Sequence, residues 1–122
     1  MTKTAQALYS FFSGFGIPAY GRNNIPDKVD LPYITFEVKE PEPLTVCLLH
    51  AWVCYRGTSY AELNATCDAI KAAVGTGITL PTSDGFIALF RDRDTPFMQE
   101  QPDPDKTIRV MYLTFLMHAN TN

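Results

Sequence analysis

From Thr107 to His118 the chain carries large apolar side chains on both alternations of a strand: Ile108, Val110, Tyr112 and Leu116 on one, Met111, Leu113, Phe115 and Met117 on the other. Successive strand residues point to opposite faces, so such a segment needs cover above and below. At roughly 25 cal/mol per Å² of apolar surface, leaving two large side chains of one face in water forgoes about 3 to 6 kcal/mol. Helices on opposite faces of the sheet would meet this demand, as would one helix together with the long loops. A neighbouring subunit over one face would meet it too.

The remaining segments limit what is available as cover. Leu8, Phe11, Phe12 and Phe15 lie on one helical stripe, which predicts a short helix over about Lys3 to Phe12 with Thr2 as its cap and Gly14 and Gly16 at its exit. Leu63, Cys67, Ile70 and Val74 form the second stripe. Ser59 followed by Glu62 has the spacing of a reciprocal capping box, and Gly75 and Gly77 stop the helix. Strands are predicted over Ile17 to Tyr20, Tyr33 to Val38, Thr45 to Arg56, Ile78 to Leu80 and Phe86 to Arg91. The Gly21–Leu31 stretch reads as a surface loop, and Arg91–Asp105 as a polar, proline-bearing connection longer than a usual hairpin loop. The expectation is one α+β domain spanning 1–122, with a mostly antiparallel sheet of four to six strands and two helices packed against it.

Ten Lys and Arg stand against thirteen Asp and Glu, a formal charge of −3, which disfavours a general phosphate-neutralising surface and specific binding of nucleic acid. The apolar stretches are interrupted at His50, Arg56 or Thr114, so no segment reads as a helix crossing a membrane. The first residues carry one cation followed by amphipathic spacing, which predicts no secretory signal and a cytoplasmic location. Cys47, Cys54 and Cys67 are an odd count at unremarkable spacing and read as small buried side chains rather than as a disulfide framework.

No segment carries a persuasive catalytic, cofactor-binding or metal-binding pattern, and the chain reads as a non-enzyme. Cys47-x-x-His50-x-x-x-Cys54 offers zinc-ligand types, but Cys47 and His50 point to opposite faces of a strand. Asp92, Asp94, Asp103 and Asp105 cluster in one long loop as candidate ligands of a divalent cation. The loop lacks the glycine of a calcium-binding turn, and Arg91, Arg93 and Lys106 compete for the carboxylates. His50 and His118 are the acid–base candidates of a rival reading, an enzymatic or small-ligand domain with the long loop as a lid over a pocket.

The succession of helix, loop, Leu31-Pro32-Tyr33-Ile34-Thr35-Phe36 strand, long Trp52-bearing strand, Ser59-headed helix, short strand and final hairpin resembles the small tail-completion proteins of bacteriophages and prophages, the tail-terminator and minor capsid proteins. Pro96-Phe97-Met98-Gln99, Asp103-Pro104-Asp105 and Arg109-Val110-Met111-Tyr112 carry the resemblance most sharply. It implies a structural subunit that assembles with itself, commonly as a hexameric ring. Such a ring caps the tail-tube protein and meets the head–tail connector, from assembly in the host cytoplasm to the finished virion. It supplies no catalytic residue. Under it, Met111, Leu113, Phe115 and Met117 would form one oligomer patch, with Phe97 and Met98 reaching across the seam. Six copies would carry 6 × −3 = −18, and Asp92, Asp94, Glu100, Asp103 and Asp105 become candidates for a lumen that repels DNA. A neck protein on the head side of the joint is the neighbouring alternative.

Overall fold

A computed structural model describes residues 2–42, 45–57 and 59–121. Helix α1 spans Lys3–Phe12, and the Thr2 hydroxyl caps it by accepting from the Ala5 N–H at 3.1 Å. A 3₁₀ turn over Ser13–Phe15 ends at Gly16, whose φ of 84° is the left-handed conformation that a side chain would disfavour. Strands β1 (Ala19–Gly21), β2 (Tyr33–Phe36) and β3 (Val46–Arg56) follow, the cis Leu31–Pro32 peptide leading into β2.

Helix α2 runs over Ala61–Val74. The Ser59 hydroxyl accepts from the Ala61 N–H, not from Glu62, so the expected capping box is not made and Tyr60 takes the cap position. Beyond the helix come β4 (Ile78–Thr82), β5 (Gly85–Phe90), β6 (Met98–Gln101) and β7 (Ile108–Thr121).

The fold is α+β, with a curled, mostly antiparallel sheet in the order β1-β2-β3-β7-β5-β4; only β1 and β2 run parallel. The seventh strand, one more than the upper expectation, is β6, which lies inside the expected long loop. β3 pairs along one edge of β7 from Val46↔His118 to Arg56↔Ile108. The other edge is divided: β6 takes Val110 to Leu113 and β5 takes Leu116 to Thr121.

Both helices pack on the same face of this sheet. Leu8 and Phe12 of α1 and Leu63, Cys67, Ile70 and Val74 of α2 are buried with Ile34 and Phe36 of β2, Leu49 and Val53 of β3, Leu89 of β5, and Met111, Leu113, Phe115 and Met117 of β7. Phe12 stacks on Phe36 with centroids 5.2 Å apart, and meets Phe115 edge-on at 5.8 Å. The sequence left three covers for β7 open; the chain itself covers one face, and no helix of the described residues covers the other. No helix among the described residues is long and apolar enough to cross a membrane.

This placement corrects the expected oligomer patch. Leu113, Phe115 and Met117 are fully enclosed, Met111 and Phe97 are buried, and Phe97 lies edge-on to Phe115 at 5.0 Å. Met98 is half-buried against the same core. These six side chains form or line the interior of the chain itself, because α1 and α2 both pack on their side of β7. The parity available to a partner is the opposite one.

Candidate functional site

Facing away from the helices, alternate residues of β2, β3, β7 and β5 form a second face, buried at Thr35, Cys54, Val110 and Thr114 and reaching the surface in two zones. The first is aromatic and polar. Arg22 sits 4.0 Å over the Trp52 ring, Trp52 lies 5.3 Å from Tyr112, and Tyr112 stacks on His50 at 4.9 Å. Glu37 Oε1 accepts from the His50 backbone N–H at 2.7 Å, pairs with His50 Nδ1 at 2.8 Å and approaches Lys39 Nζ at 3.4 Å. Trp52 Nε1 donates to Gln101 Oε1, which ties β6 into the row. Their rings already face one another, so the row presents edges and polar tips outward rather than open stacking platforms.

The second zone is apolar. Cross-strand register brings Val46 and Leu48 of β3 beside His118 and Leu116 of β7, which in turn lie beside Ala88 and Phe90 of β5. Val46 is 54% exposed, Leu48 43% and Phe86, one step further along β5, 37%. Exposed apolar side chains scattered singly are ordinary; a set brought together across three hydrogen-bonded strands is the candidate docking surface of this chain. The sequence places Leu116 on one of the two apolar alternations of β7 without deciding which of them faces outward, and Val46, Leu48 and Phe86 are not among its candidate interface residues. The alternation of β3 held the signal, since Val46, Leu48, His50, Trp52 and Cys54 all fall on one parity.

The acidic residues do not converge. Asp92 accepts from the Asp94 N–H at 3.0 Å and the Thr95 hydroxyl at 2.9 Å, closing a tight turn. Asp103 accepts from the Asp105 N–H, and Asp105 accepts from both the N–H and hydroxyl of Thr107 with Arg56 at 3.6 Å. Backbone hydrogen bonds are the first cause that holds the Asp92 and Asp105 carboxyls below the usual carboxylate range. Glu100 stands exposed on β6. Among the described residues no three His, Cys, Asp or Glu side chains gather as a metal-binding group.

Cysteine chemistry follows burial. Cys67 lies in the core under α2, where burial pushes its thiol up to about 12; burial likewise raises Cys54 to about 11, against a lowering by the Tyr33 hydroxyl. Cys47, expected to be buried, is only half-buried near the start of β3. His50 and His118 share the second face but pair with β7 and β3 positions four residues apart, about 13 Å along a strand, so they do not act on one atom.

A cleft of about 680 Å³ opens where β7 exchanges β6 for β5, lined by Lys71, Thr76, Phe90, Arg91 to Thr95, Phe97 and Leu116. Arg91 Nε donates to the Gly75 carbonyl and fixes one wall to the end of α2. Neither histidine lines it. Comparison with protein-family models and with curated proteins finds no match for this chain.

Proposed function

We propose that this chain is a structural subunit of a bacteriophage or prophage virion, a tail-completion protein that joins with copies of itself in a ring, caps the tail tube and forms part of the head–tail joint. One observation supports the reading most: a domain with its helices gathered on one side leaves Val46, Leu48 and Phe86 exposed on the other. That is the arrangement of a subunit whose second layer comes from a partner. The layout and motif resemblance supplies the particular class. In this reading the partners are further copies, the tail-tube protein and the head-side connector, with assembly in the host cytoplasm and residence at the tail or neck of the virion. The acidic turns at Asp92 and Asp105, with Glu100 and Asp103, are the candidates for surface facing the DNA path.

The test is reconstitution. Purified chain mixed with tail tubes and viewed by electron microscopy is expected to give tubes of fixed length with added density at one end. Tubes that keep growing, with no chain bound, would remove the reading; binding to isolated connector but not to tubes would favour the neck alternative. The cleft bounded by the Arg91–Thr95 turn favours a small-ligand reading instead. Saturable binding of a small molecule there, lost on filling the cleft at Leu116, would support it.

A further inference from the structure

The cleft beside the Arg91–Thr95 turn has the size of a small-molecule site, about 680 Å³. Its walls are pinned. Arg91 Nε donates to the Gly75 carbonyl at 3.0 Å and joins the turn to the end of α2. Both Asp92 carboxylate oxygens are engaged within the turn, one by the Asp94 N–H and the other by the Thr95 hydroxyl. Where the chain returns to β7, the Thr114 N–H donates to the Phe97 carbonyl at 3.0 Å. A concavity fixed in this way has little freedom left to lose when a ligand enters.

The lining divides into two chemistries. Phe90, Phe97 and Leu116 are its apolar part. Phe97 is buried and its ring is held edge-on against Phe115, so this surface is set in position by the core. Two of the three side chains are aromatic, which suits a flat ring system: it gains offset or edge contact with phenyl rings in addition to leaving water.

Lys71, Arg91 and Arg93 bring positive charge to the same cleft. Formal charge in the neighbourhood balances, since Asp92 and Asp94 also line the cleft and Asp68 stands three residues before Lys71 on α2. Hydrogen bonding does not balance. Among the described residues none of the three cations makes an ion pair, whereas both Asp92 oxygens already accept. Arg91 is half-buried, and beyond its Nε the guanidinium nitrogens have no partner among the described residues. A planar guanidinium with donors to spare receives a carboxylate through two parallel hydrogen bonds, a contact that a lysine ammonium does not reproduce.

Resting on the small-ligand reading of this cleft, we infer that it binds an aromatic carboxylate. The carboxylate sits on the outer guanidinium nitrogens of Arg91, with Lys71 and Arg93 as further cations, and the ring system lies against Phe90, Phe97 and Leu116. The site is complete within one chain, whatever assembly that chain enters.

The test is a titration of the full chain followed by two-dimensional NMR. The probes are 2-naphthoate, 2-naphthamide as its uncharged counterpart of like shape, and acetate as the head group alone. Naphthoate is expected to saturate at one per chain and to move the signals of residues 91–97 and Leu116. Naphthamide is expected to bind at least about tenfold more weakly, and acetate not to saturate. Arg91→Lys, which keeps the charge and removes the fork, is expected to weaken naphthoate about tenfold and to change naphthamide little. Leu116→Phe, which fills the apolar part, should weaken both. Arg91→Lys also removes the bond to Gly75; if it loses the native amide spectrum, Arg93→Gln carries the comparison with the same sign and a smaller size. Equal affinity for the two naphthalenes, or naphthoate binding unchanged in Arg91→Lys and Arg93→Gln alike, would overturn the inference and leave the cleft a small-molecule site. Shifts gathered at Val46, Leu48 and Phe86 would overturn it by placing the probe on exposed apolar surface. No saturable binding of either naphthalene would remove both the inference and the small-ligand reading.

Discussion

His50 lies flat against Tyr112, ring centroids 4.9 Å apart and planes 16° from parallel, and Glu37 holds it there through one carboxylate oxygen that meets both its ring Nδ1 and its backbone N–H. The histidine that sequence reading offered as an acid–base group is thus a fixed part of the second face, bonded on one side and stacked on the other.

Removing that anchor has a measurable cost. Glu37→Ala leaves the part-buried His50 N–H without its side-chain acceptor and is expected to lower unfolding free energy by about 1 kcal/mol, while Glu37→Gln, which keeps an acceptor oxygen, costs less. Urea denaturation of the three proteins checks the order.

Interior and exterior alternations of the sheet separate by stability. Phe115, fully enclosed and met edge-on by Phe12 and Phe97, is expected to cost about 3 to 5 kcal/mol on change to Ala. Leu48→Thr, on the exposed side, is expected to change monomer stability by less than about 1 kcal/mol. Equal losses at the two sites, measured by thermal unfolding at low concentration, would contradict the assignment of faces.

The assignment of faces is also where sequence reading stopped. Alternation in β7 is plain, and so is the presence of two helices, but large apolar residues occupy both parities, and which parity meets Phe12 and Leu63 depends on where α1 and α2 come to lie. That is a tertiary fact with no local signal. The α1 boundaries, by contrast, were legible because Thr2, the Leu8–Phe12 stripe and Gly16 act through adjacent residues. β6 was missed because Gln99, Glu100 and Gln101 are polar and exposed; their strand form comes from pairing to β7 alone. The capping box failed for a similar reason. Its spacing is present, but the backbone places Ser59 one residue too early, with Tyr60 at the cap.

Acid stability has a stated direction. Asp92 and Asp105 have carboxyls lowered in the folded chain, so their contribution is present above the unfolded aspartate value and is lost as pH falls through the lowered folded value. Stability from these groups is expected to be flat from neutral pH to about 5 and to decline below about 4. Asp92→Asn, which keeps the acceptor for the Asp94 N–H, is expected to flatten part of that decline in denaturation curves taken across the acid range.

Thiol reactivity follows the same burial. Cys47 is expected to be alkylated first by iodoacetamide, Cys54 more slowly and Cys67 last, since burial holds the latter two at about 11 and about 12 and only the thiolate reacts. Peptide mass spectrometry over time gives the order, and denaturant should abolish it.

Because the chain departs from the edge of β7 after Phe90 and is back on it by Phe97, whose carbonyl accepts from the Thr114 N–H, the six residues 91–96 are outside the register that aligns the rest of the sheet. A one-residue change inside β7 would turn every neighbour to the wrong side, whereas one inside this detour alters only its own span. Lineages descended from a common ancestor should therefore vary in length between Arg91 and Phe97 while keeping β7 constant, so the detour is where such proteins can diversify without rebuilding their interior.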